Sequence, residues 1–297
     1  MTSRRIALIA NPRSGRGRVG RMLPRLHEEL TEMGATWSSA VTEHAGHAIE
    51  LASQAVADGA DVIAAIGGDG TINEVVNGML AVGSTPPALG IVPAGSGSDF
   101  ARSFATPAGI EGAANRLAHA DPQSIDVGTI TFADRVRHFV NIAEVGLGAA
   151  VVDRAERLPR WLGSSRYLVA FWPAWARFSP VDIEVSTDAG GTFEGRCHNV
   201  VVANARYFGG GMHVAPDADP ADGRLEIQLN IGSRRQAFTM IPKVRRGAHL
   251  DDTRVVRLHG SSVDIRPARP LGVEADGEPL GETPVTVSVS TRLPLIA

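Results

Sequence analysis

Cysteine is nearly absent from this 297-residue chain, which has only Cys197. A single cysteine excludes an internal disulfide and a zinc site built from several cysteines, so the composition is compatible with a reducing compartment. An excess of positive charge is also lacking, because the net charge is -3. We therefore expect no nucleic-acid partner bound through overall positive charge.

Long apolar segments are missing as well. No uninterrupted apolar run approaches the ~20 residues that a membrane-spanning helix needs. The first residues, Met1–Ile6, lead into a short apolar strand without the hydrophobic region of a signal peptide. The sequence therefore predicts a cytoplasmic protein with no transmembrane segment, and any contact with lipid would be peripheral.

The residues that are present can fill two ordinary domain cores, since 43% of them are hydrophobic. The N-terminal part alternates strand-like and helix-like segments, which is typical of a parallel sheet with helices on its faces. The predicted strands are 6–10, 36–41, 61–66 and 88–92, and the predicted helices are 19–33, 47–57, 72–80 and 110–118.

The pattern changes near Asp126 to short β-rich segments separated by Gly, Pro and Asp, which predicts an antiparallel sandwich. The predicted strands are 129–132, 138–142, 181–186, 198–203, 224–229, 255–259, 262–265 and 286–290. Between them, the aromatic segment Leu158–Phe178 predicts a helix broken near Pro173. This helix would belong to the core or shape a groove for acyl chains.

We therefore expect two domains. Residues 1–127 would form a Rossmann-like α/β domain with a parallel sheet, and residues 128–297 would form an antiparallel β-sandwich. The C-terminal tail is a candidate to return to the first domain.

The most informative motif is Gly67-Gly68-Asp69-Gly70-Thr71, between a buried strand and a helix. Such a loop binds anions, because free backbone N–H groups and the positive end of the helix dipole point at the ligand. Asp69 would repel phosphate unless a divalent cation lay between them, which predicts a metal nucleotide. A capping box formed by Thr71 and Glu74 is the alternative explanation for those two residues.

Two further loops follow predicted strands, at 11–17 and 93–99. The first fits G-x-G-x-x-G through Gly15, Gly17 and Gly20, with Glu43 near the position of a ribose-binding acid, but four residues separate it from the strand. The second has hydroxyls and glycines suited to phosphate, although Ser98 or Asp99 could instead cap the next helix. All three loops would lie on the ligand-binding edge of one sheet.

These motifs resemble the diacylglycerol kinase catalytic-domain family, which includes bacterial lipid kinases, sphingosine kinases and, more distantly, NAD kinases. The resemblance continues downstream and covers nearly the whole chain. The segments that match the family are Asn11–Gly15, Gly67–Thr71, Gly95–Arg102, Tyr207–Pro216, Asp219–Gly223 and Asp276–Glu278.

The resemblance implies ATP and Mg²⁺ as cofactors, with ATP and a lipid acceptor in a cleft between the domains. By match to family positions, the nucleotide-binding residues are Asn11, Pro12, Arg13, Ser14, Gly15, Thr42, Gly67, Gly68, Asp69, Gly70, Thr71, Ile72, Asn73, Glu74 and Ser96. Glu278 matches the general base that takes the acceptor hydroxyl proton. Asp219, Asp222 and Arg224 match a structural Mg²⁺ site.

Three acids join Glu278 in the predicted catalytic set, namely Asp69, Asp126 and Asp276. Asp126 stands in an apolar context, so it would join a network with Asp69 and Glu278 or else face solvent at the domain boundary. Asp276 and Glu278 flank Gly277, and a polar hairpin turn is the alternative there. For Asp217, Asp219 and Asp222, near the predicted metal site, a solvated turn is likewise an alternative explanation.

One position departs from the family, which usually has Asn where this chain has Ser98. A hydroxyl cannot make both contacts of an amide, so the acceptor or the rigidity of this loop is left undecided.

The function predicted from these residues is phosphoryl transfer from ATP to a hydroxyl of a diacylglycerol-like or sphingoid lipid at a membrane surface. An NAD kinase is disfavoured, because no adjacent Asn-Glu pair follows the first domain and Asn141-Ile-Ala-Glu144 does not supply one. An NAD-dependent oxidoreductase and a nucleotide-binding regulator without catalysis remain alternatives. The sequence leaves a homodimer open.

Overall fold

A computed structural model describes residues 4–83, 85–95, 98–104, 106, 109–159, 162–163, 165–232 and 237–297 of the protein. The chain divides into two compact units. Unit 1 comprises Met1–Ile125 and Arg292–Ala297, and unit 2 comprises Asp126–Thr291.

Unit 1 has the predicted α/β architecture. Its strands are β1 (Arg5–Ala10), β2 (Thr36–Val41), β3 (Val62–Gly67) and β4 (Ala88–Pro93), and its helices are α1 (Arg18–Glu32), α2 (His47–Ala57), α3 (Asp69–Ala81), α4 (Asp99–Arg102) and α5 (Ile110–His119). The strands are parallel in the order β2-β1-β3-β4, with Ile6 opposite both Trp37 and Val62. Every residue of β3 is buried, as expected for an apolar strand in a sheet covered on both faces.

The start of α3 corrects the prediction that this helix begins at Ile72. Gly68 is the extended N-cap, and Asp69 is the first helical residue. Glycine has no Cβ to conflict with the close contacts at this turn. Asp69 therefore lies at the helix N-terminus rather than in the middle of a free loop.

Unit 2 has the predicted antiparallel β-sandwich. Strand β5 (Gln123–Thr131) spans the boundary and is followed by β6 (Val136–Phe139), β7 (Ile142–Gly146), α6 (Leu147–Glu156), α7 (Ser165–Arg177), β8 (Val181–Thr187), β9 (Thr192–Cys197), β10 (Asn199–Ala203), β11 (Leu225–Asn230), α8 (Ala237–Arg245), β12 (Val255–Gly260), β13 (Ser262–Pro267), β14 (Gly272–Ala275), β15 (Glu278–Glu282) and β16 (Val285–Ile296). One sheet has the order β12-β11-β10-β7-β14-β15.

The second sheet of unit 2 contains β9, β8, β13 and the first part of β16, which pair in that order. Buried side chains of both sheets form a single core, with Val145, Val200 and Ile227 from the first sheet and Ile183 and Val263 from the second. The far end of β16 belongs to unit 1, where Leu295 and Ile296 pair in parallel with β4.

The predicted strand 138–142 is wrong, because the chain leaves one strand and enters another within it. β6 ends at Phe139 and β7 begins at Ile142. The backbone N–H groups of Val140, Asn141 and Ile142 donate to the carboxylate of Asp276. A side chain thus replaces the ladder partner that a continuous strand would need.

The predicted helix Leu158–Phe178, broken near Pro173, is also wrong in its bounds. Helix α7 begins at Ser165 and continues through Pro173 to Arg177. Pro173 removes one backbone donor. Helical hydrogen bonding nevertheless persists beyond it, since the N–H of Phe178 donates to Ala174 O at 2.8 Å. Among the described residues, no helix is both long and apolar enough to cross a membrane.

Candidate functional site

The first loop of unit 1 is tied to its neighbours by Asn11. Its N–H donates to Ile66 O on β3 at 3.0 Å, and its side-chain amide donates to Thr71 Oγ1 on α3 at 3.2 Å. Its side-chain oxygen accepts the N–H of Arg13 at 3.0 Å. Asn11 therefore fixes the loop after β1 against the loop after β3.

Backbone contacts hold the remaining loops together. Gly15 has a φ of 62°, and a Cβ there would overlap the carbonyl oxygen of Ala94. A Cβ on Gly95 would lie 2.6 Å from the Cα of Gly68. The loops after β1, β3 and β4 therefore meet at one sheet edge through positions that only glycine can fill.

Asp69 links two of these loops. Its carboxylate accepts the N–H of Asp99 at 3.1 Å and that of Phe100 at 3.0 Å. The sequence argument that only a cation explains Asp69 was incomplete, because these donors stabilise the charge without one. A carboxylate has about four acceptor sites, and Asp69 is partly exposed, so the geometry leaves room for a further ligand.

The capping-box explanation for Thr71 and Glu74 is wrong. Both residues lie within α3 rather than at its N-cap. Thr71 accepts the amide of Asn11, and Glu74 Oε2 accepts the N–H of Ala48 at the start of α2, at 3.1 Å. Glu74 thus joins two helices.

The other predicted nucleotide-binding residues differ in exposure. Thr42 follows β2 and is buried, as are Gly67, Thr71, Ile72 and Asn73, whereas Pro12 and Arg13 are exposed and Ser14, Gly68 and Gly70 are partly exposed. Side chains of the buried residues pack inside unit 1, so any nucleotide would meet chiefly the exposed loop backbone. Ser96 lies outside the described residues.

Ser98 has left-handed backbone geometry, with a φ of 50°. Its hydroxyl donates to Gly95 O at 3.3 Å and makes no capping bond to α4. The capping explanation for Ser98 is therefore wrong, since Asp69 caps α4 instead. Asn tolerates left-handed geometry better than most residues, so the backbone at this position would also accept the Asn that the family usually has.

The G-x-G-x-x-G pattern is not a dinucleotide fingerprint here. Gly20 lies inside α1, and a Cβ added to it would meet nothing within 4 Å. The third glycine of the fingerprint serves close packing of helix on strand, a contact that Gly20 does not make. The geometry therefore gives the oxidoreductase alternative no support.

In unit 2, Asp276 and Gly277 form the two-residue turn between β14 and β15. Both have positive φ, at 51° and 87°, and Ala275 faces Glu278 across the pair. These are features of a type I′ hairpin, so the hairpin explanation of the Asp-Gly pair is confirmed. Glu278 is then the first residue of β15 and is partly exposed.

The carboxylate of Asp276 holds this hairpin against the crossing from β6 to β7. It accepts N–H groups from Val140 and Asn141 at 3.0 Å and from Ile142 at 3.1 Å. Asp276 is 6% exposed. The geometry thus gives the carboxylate of Asp276 a contact that the hairpin turn alone did not predict.

Asp126 is fully buried, so the alternative that it faces solvent is wrong. Its Oδ2 accepts the N–H of Gly223 at 2.6 Å, and its carbonyl accepts the side-chain amide of Asn204 at 3.0 Å. Asp126 therefore anchors the loop that carries the predicted Mg²⁺ residues.

Within that loop, Asp219 Oδ1 accepts the N–H of Ala221 at 3.1 Å, and Asp222 Oδ1 accepts the N–H of Arg224 at 2.9 Å. Over the described part of the chain, no group of three or more His, Cys, Asp or Glu side chains is placed to hold a metal. Carbonyl oxygens would have to complete any site here, and the Mg²⁺ assignment stays a prediction.

Sequence reasoning missed a second acidic element beside the hairpin, formed by Glu144 and Glu274. These residues face each other across β7 and β14. Burial is the main cause that raises the pKa of both carboxyls. The available signal was a glutamate inside each of two short apolar segments, Ile-Ala-Glu-Val-Gly and Gly-Val-Glu-Ala.

Both halves of the chain match known sequence families. Residues 5–130 match the diacylglycerol kinase catalytic domain, and residues 141–295 match the YegS C-terminal NAD kinase beta sandwich-like domain. Relatives named diacylglycerol kinase include one from Bacillus subtilis, 29% identical over 95% of this chain and 92% of its own length. Another, from Mycobacterium tuberculosis, is 29% identical over 96% and 92%.

A solved structure supports the same fold. The chain is similar to the crystal structure of a diacylglycerol kinase from Bacillus anthracis, with a TM-score of 0.76, 22% identity and coverage of 100% of this chain and 97% of that one. At this identity the likeness concerns the fold alone. The family itself rests on the two sequence matches over residues 5–130 and 141–295: the chain belongs to the diacylglycerol kinase family of lipid kinases.

Proposed function

We propose that this protein is an ATP- and Mg²⁺-dependent kinase that phosphorylates a hydroxyl of a diacylglycerol-like or sphingoid lipid. The main support is that both halves of the chain match domains of this family. In unit 1, Asn11, Gly68 and Asp69 lie where three loops converge at the ends of parallel strands, as in nucleotide sites of open α/β sheets.

The residues of the loop edge fit a nucleotide and a cation. The partly exposed backbone of Gly68 and Gly70 and the N-terminus of α3 offer N–H groups and a positive dipole for phosphate. Asp69 retains acceptor capacity for a hard cation beyond its two amide donors. When bound, Mg²⁺ would neutralise charge on the transferred phosphate.

In the proposed reaction, Glu278 accepts the proton of the lipid hydroxyl. The oxygen then bonds to the γ-phosphorus of ATP while the bond from that phosphorus to the β,γ-bridging oxygen breaks, and ADP leaves. Glu278 starts β15 directly after the hairpin turn. Asp276, whose carboxylate accepts three N–H groups, orients this turn.

Contact with the lipid surface is proposed for the outer face of α7. Leu168, Val169 and Trp172 are 62%, 50% and 39% exposed, whereas Ala170 and Ala174 of the same helix are buried. Arg154 near the end of the neighbouring α6 and Arg157 directly after it are exposed, and they suit an anionic bilayer beside such an apolar face. The occupant we assign to this face is the bilayer that supplies the acceptor.

The deciding experiment measures transfer of radiolabelled phosphate from ATP with Mg²⁺. The acceptors, tested singly, are diacylglycerol, monoacylglycerol, ceramide and sphingosine in mixed micelles, and NAD. We expect label in at least one lipid. Label in NAD but in no lipid would establish the NAD kinase alternative, and ATP binding without any transfer would establish a non-catalytic regulator.

The general base is tested by Glu278→Gln with Glu282→Gln, an exposed residue of the same strand, as the matched control. Loss of a general base costs about 10²–10⁴-fold in rate. We expect Glu278→Gln to lose at least about 100-fold in kcat with unchanged ATP affinity, and Glu282→Gln to behave as wild type. Normal turnover by Glu278→Gln would remove this residue from the mechanism.

A further inference from the structure

Two glutamates of unit 2 meet side by side on the face of the first sheet that lies opposite the sandwich core, next to α6. Glu144 on β7 and Glu274 on β14 are direct partners in an antiparallel pair. Glu274 is fully buried. Like charges directly opposite each other destabilise a sheet, and a buried ionised carboxylate must be paired or must take up a proton.

The surroundings of the pair show where a proton is needed. The side-chain amide of Asn199 donates to Glu144 Oε1 at 2.7 Å, and its orientation is fixed because its oxygen accepts the N–H of Gly148 at 2.8 Å. Gly277 N–H donates to Glu274 Oε2 at 3.0 Å. The other oxygen, Glu274 Oε1, is buried without a hydrogen-bond partner among the described residues.

The charged and titratable groups around the pair favour a bound proton. Burial raises the pKa of Glu274 well above its ordinary value, and the charges of Glu144 and Asp276 raise it further. Burial likewise raises the pKa of Glu144, against the opposing hydrogen bond from Asn199. On the α7 side lies Tyr167, whose hydroxyl accepts from Arg166 at 2.9 Å. Arg166 is in turn paired with Glu156 at 2.9 Å.

We propose that Glu144 and Glu274 share one proton and that this pair holds the catalytic hairpin in place, which makes Glu274 a positioning residue for Glu278. The shared proton gives Glu274 Oε1 the partner it otherwise lacks. Glu274 Oε2 then holds the N–H of Gly277, the residue immediately before Glu278. The link to catalysis rests on the proposed function of Glu278, whereas proton sharing does not.

The pH dependence of unfolding tests proton sharing independently of activity. A carboxyl whose pKa is raised in the folded state binds more protons there than in the unfolded chain, so stability falls as pH rises above the ordinary value of 4.5. Gln at position 274 carries a permanent N–H donor in place of the shared proton. We expect wild-type Tm to fall from pH 5 to pH 9 by at least about 3 °C more than that of Glu274→Gln.

Glu282→Gln, exposed on the adjacent strand, is the control and should follow the wild-type curve. Parallel Tm curves for wild type and Glu274→Gln would overturn proton sharing. Because Glu274→Gln keeps the size and hydrogen-bonding capacity of the side chain, this comparison does not require a variant that damages the fold.

Positioning is tested by amide hydrogen exchange at Gly277 together with kinetics. Glu274→Ala removes the acceptor of the Gly277 N–H, so we expect exchange there to quicken at least about tenfold and kcat to fall with KM for ATP unchanged. Glu274→Gln, whose side-chain oxygen can still accept, should restore protection and most of the lost kcat. Unchanged exchange in Glu274→Ala would overturn the positioning role.

The two proposals fail separately. If no lipid is phosphorylated by the wild-type protein, the lipid kinase proposal fails, yet exchange at Gly277 and the Tm curves still decide the role of the pair. If lipid is phosphorylated and Glu274→Ala exchanges rapidly at Gly277 without loss of kcat, the hairpin is held as described but its position does not limit catalysis.

Discussion

Units 1 and 2 each use an aspartate to hold a loop, but they do so at different depths. Asp69 is partly exposed and accepts two N–H groups from the loop after the adjacent strand. Asp276 is buried and accepts three N–H groups from residues more than a hundred positions away. The exposed acid keeps capacity for a ligand, whereas the buried one accepts backbone donors that hold two distant segments together. A carboxylate in a conspicuous motif can therefore be structural.

The largest expected effect comes from removing the buried acid. Asp276→Ala leaves three N–H groups without their acceptor, so we expect the free energy of unfolding to fall by about 3–5 kcal/mol, as when a buried charged partner is removed. Urea unfolding measures the change. Asp134→Ala, whose side chain is 71% exposed, is the control and should shift stability by less than about 0.5 kcal/mol. Equal losses of stability in Asp276→Ala and Asp134→Ala would show that the burial of Asp276 does not matter to the fold.

In unit 1 the tightest contact is between two backbones. Gly95→Ala would place a Cβ 2.6 Å from Gly68 Cα, and overpacking of this kind costs about 1–3 kcal/mol. Gly20→Ala is the opposite case, because its Cβ would meet nothing within 4 Å in α1. We expect that variant to gain about 0.4–1 kcal/mol. Thermal unfolding of both variants measures the difference, and a stable Gly95→Ala would refute the close approach of the loops.

Removing the exposed acid should cost less stability. Asp69→Ala loses two hydrogen bonds that water can partly replace, so we expect a loss of about 1–2 kcal/mol in urea unfolding. If Asp69 also faces the metal nucleotide, ATP affinity should fall at least tenfold in calorimetry, which Asp276→Asn should not reproduce. A loss of stability larger than that of Asp276→Ala would contradict the comparison.

The smallest effect concerns apolar surface rather than acids. Leu168→Asp removes an exposed side chain from the outer face of α7, and burial of one Leu is worth about 1.5–3 kcal/mol. We expect binding to anionic phosphatidylglycerol vesicles to weaken about tenfold in co-sedimentation. Val82→Asp, at an exposed position of unit 1, is the matched control and should bind as wild type. Equal losses would show that α7 is not the membrane-facing surface.

Much of the fold could be predicted because its signals are local. The bounds of β2 and α2 match the predictions, since each is a short segment with clear turn signals at its ends. The crossing at Val140 and Asn141 could not be predicted, because it depends on a carboxylate 135 residues away from Asn141. Long-range side-chain partners leave no periodic pattern in the sequence.

The candidate site shows the same limit. Glycine and acid motifs indicated the nucleotide loops and the hairpin. They did not indicate which acids already accept hydrogen bonds from the backbone. Asp126 was assigned either to a network or to solvent, and in the structure it is buried and holds Gly223. The pair of Glu144 and Glu274 went unnoticed because each looks like an ordinary polar residue of a strand, and only the register places them together.

The strand β16 has a consequence for synthesis of the chain. Its last residues complete the sheet of unit 1 beside β4, although the rest of that sheet is encoded in the first third of the sequence. A ribosome therefore makes all of unit 2 before the edge of β4 can be covered. During that interval the edge of β4 lacks its pairing with Leu295 and Ile296, and an unpaired strand edge is a site at which a nascent chain can aggregate.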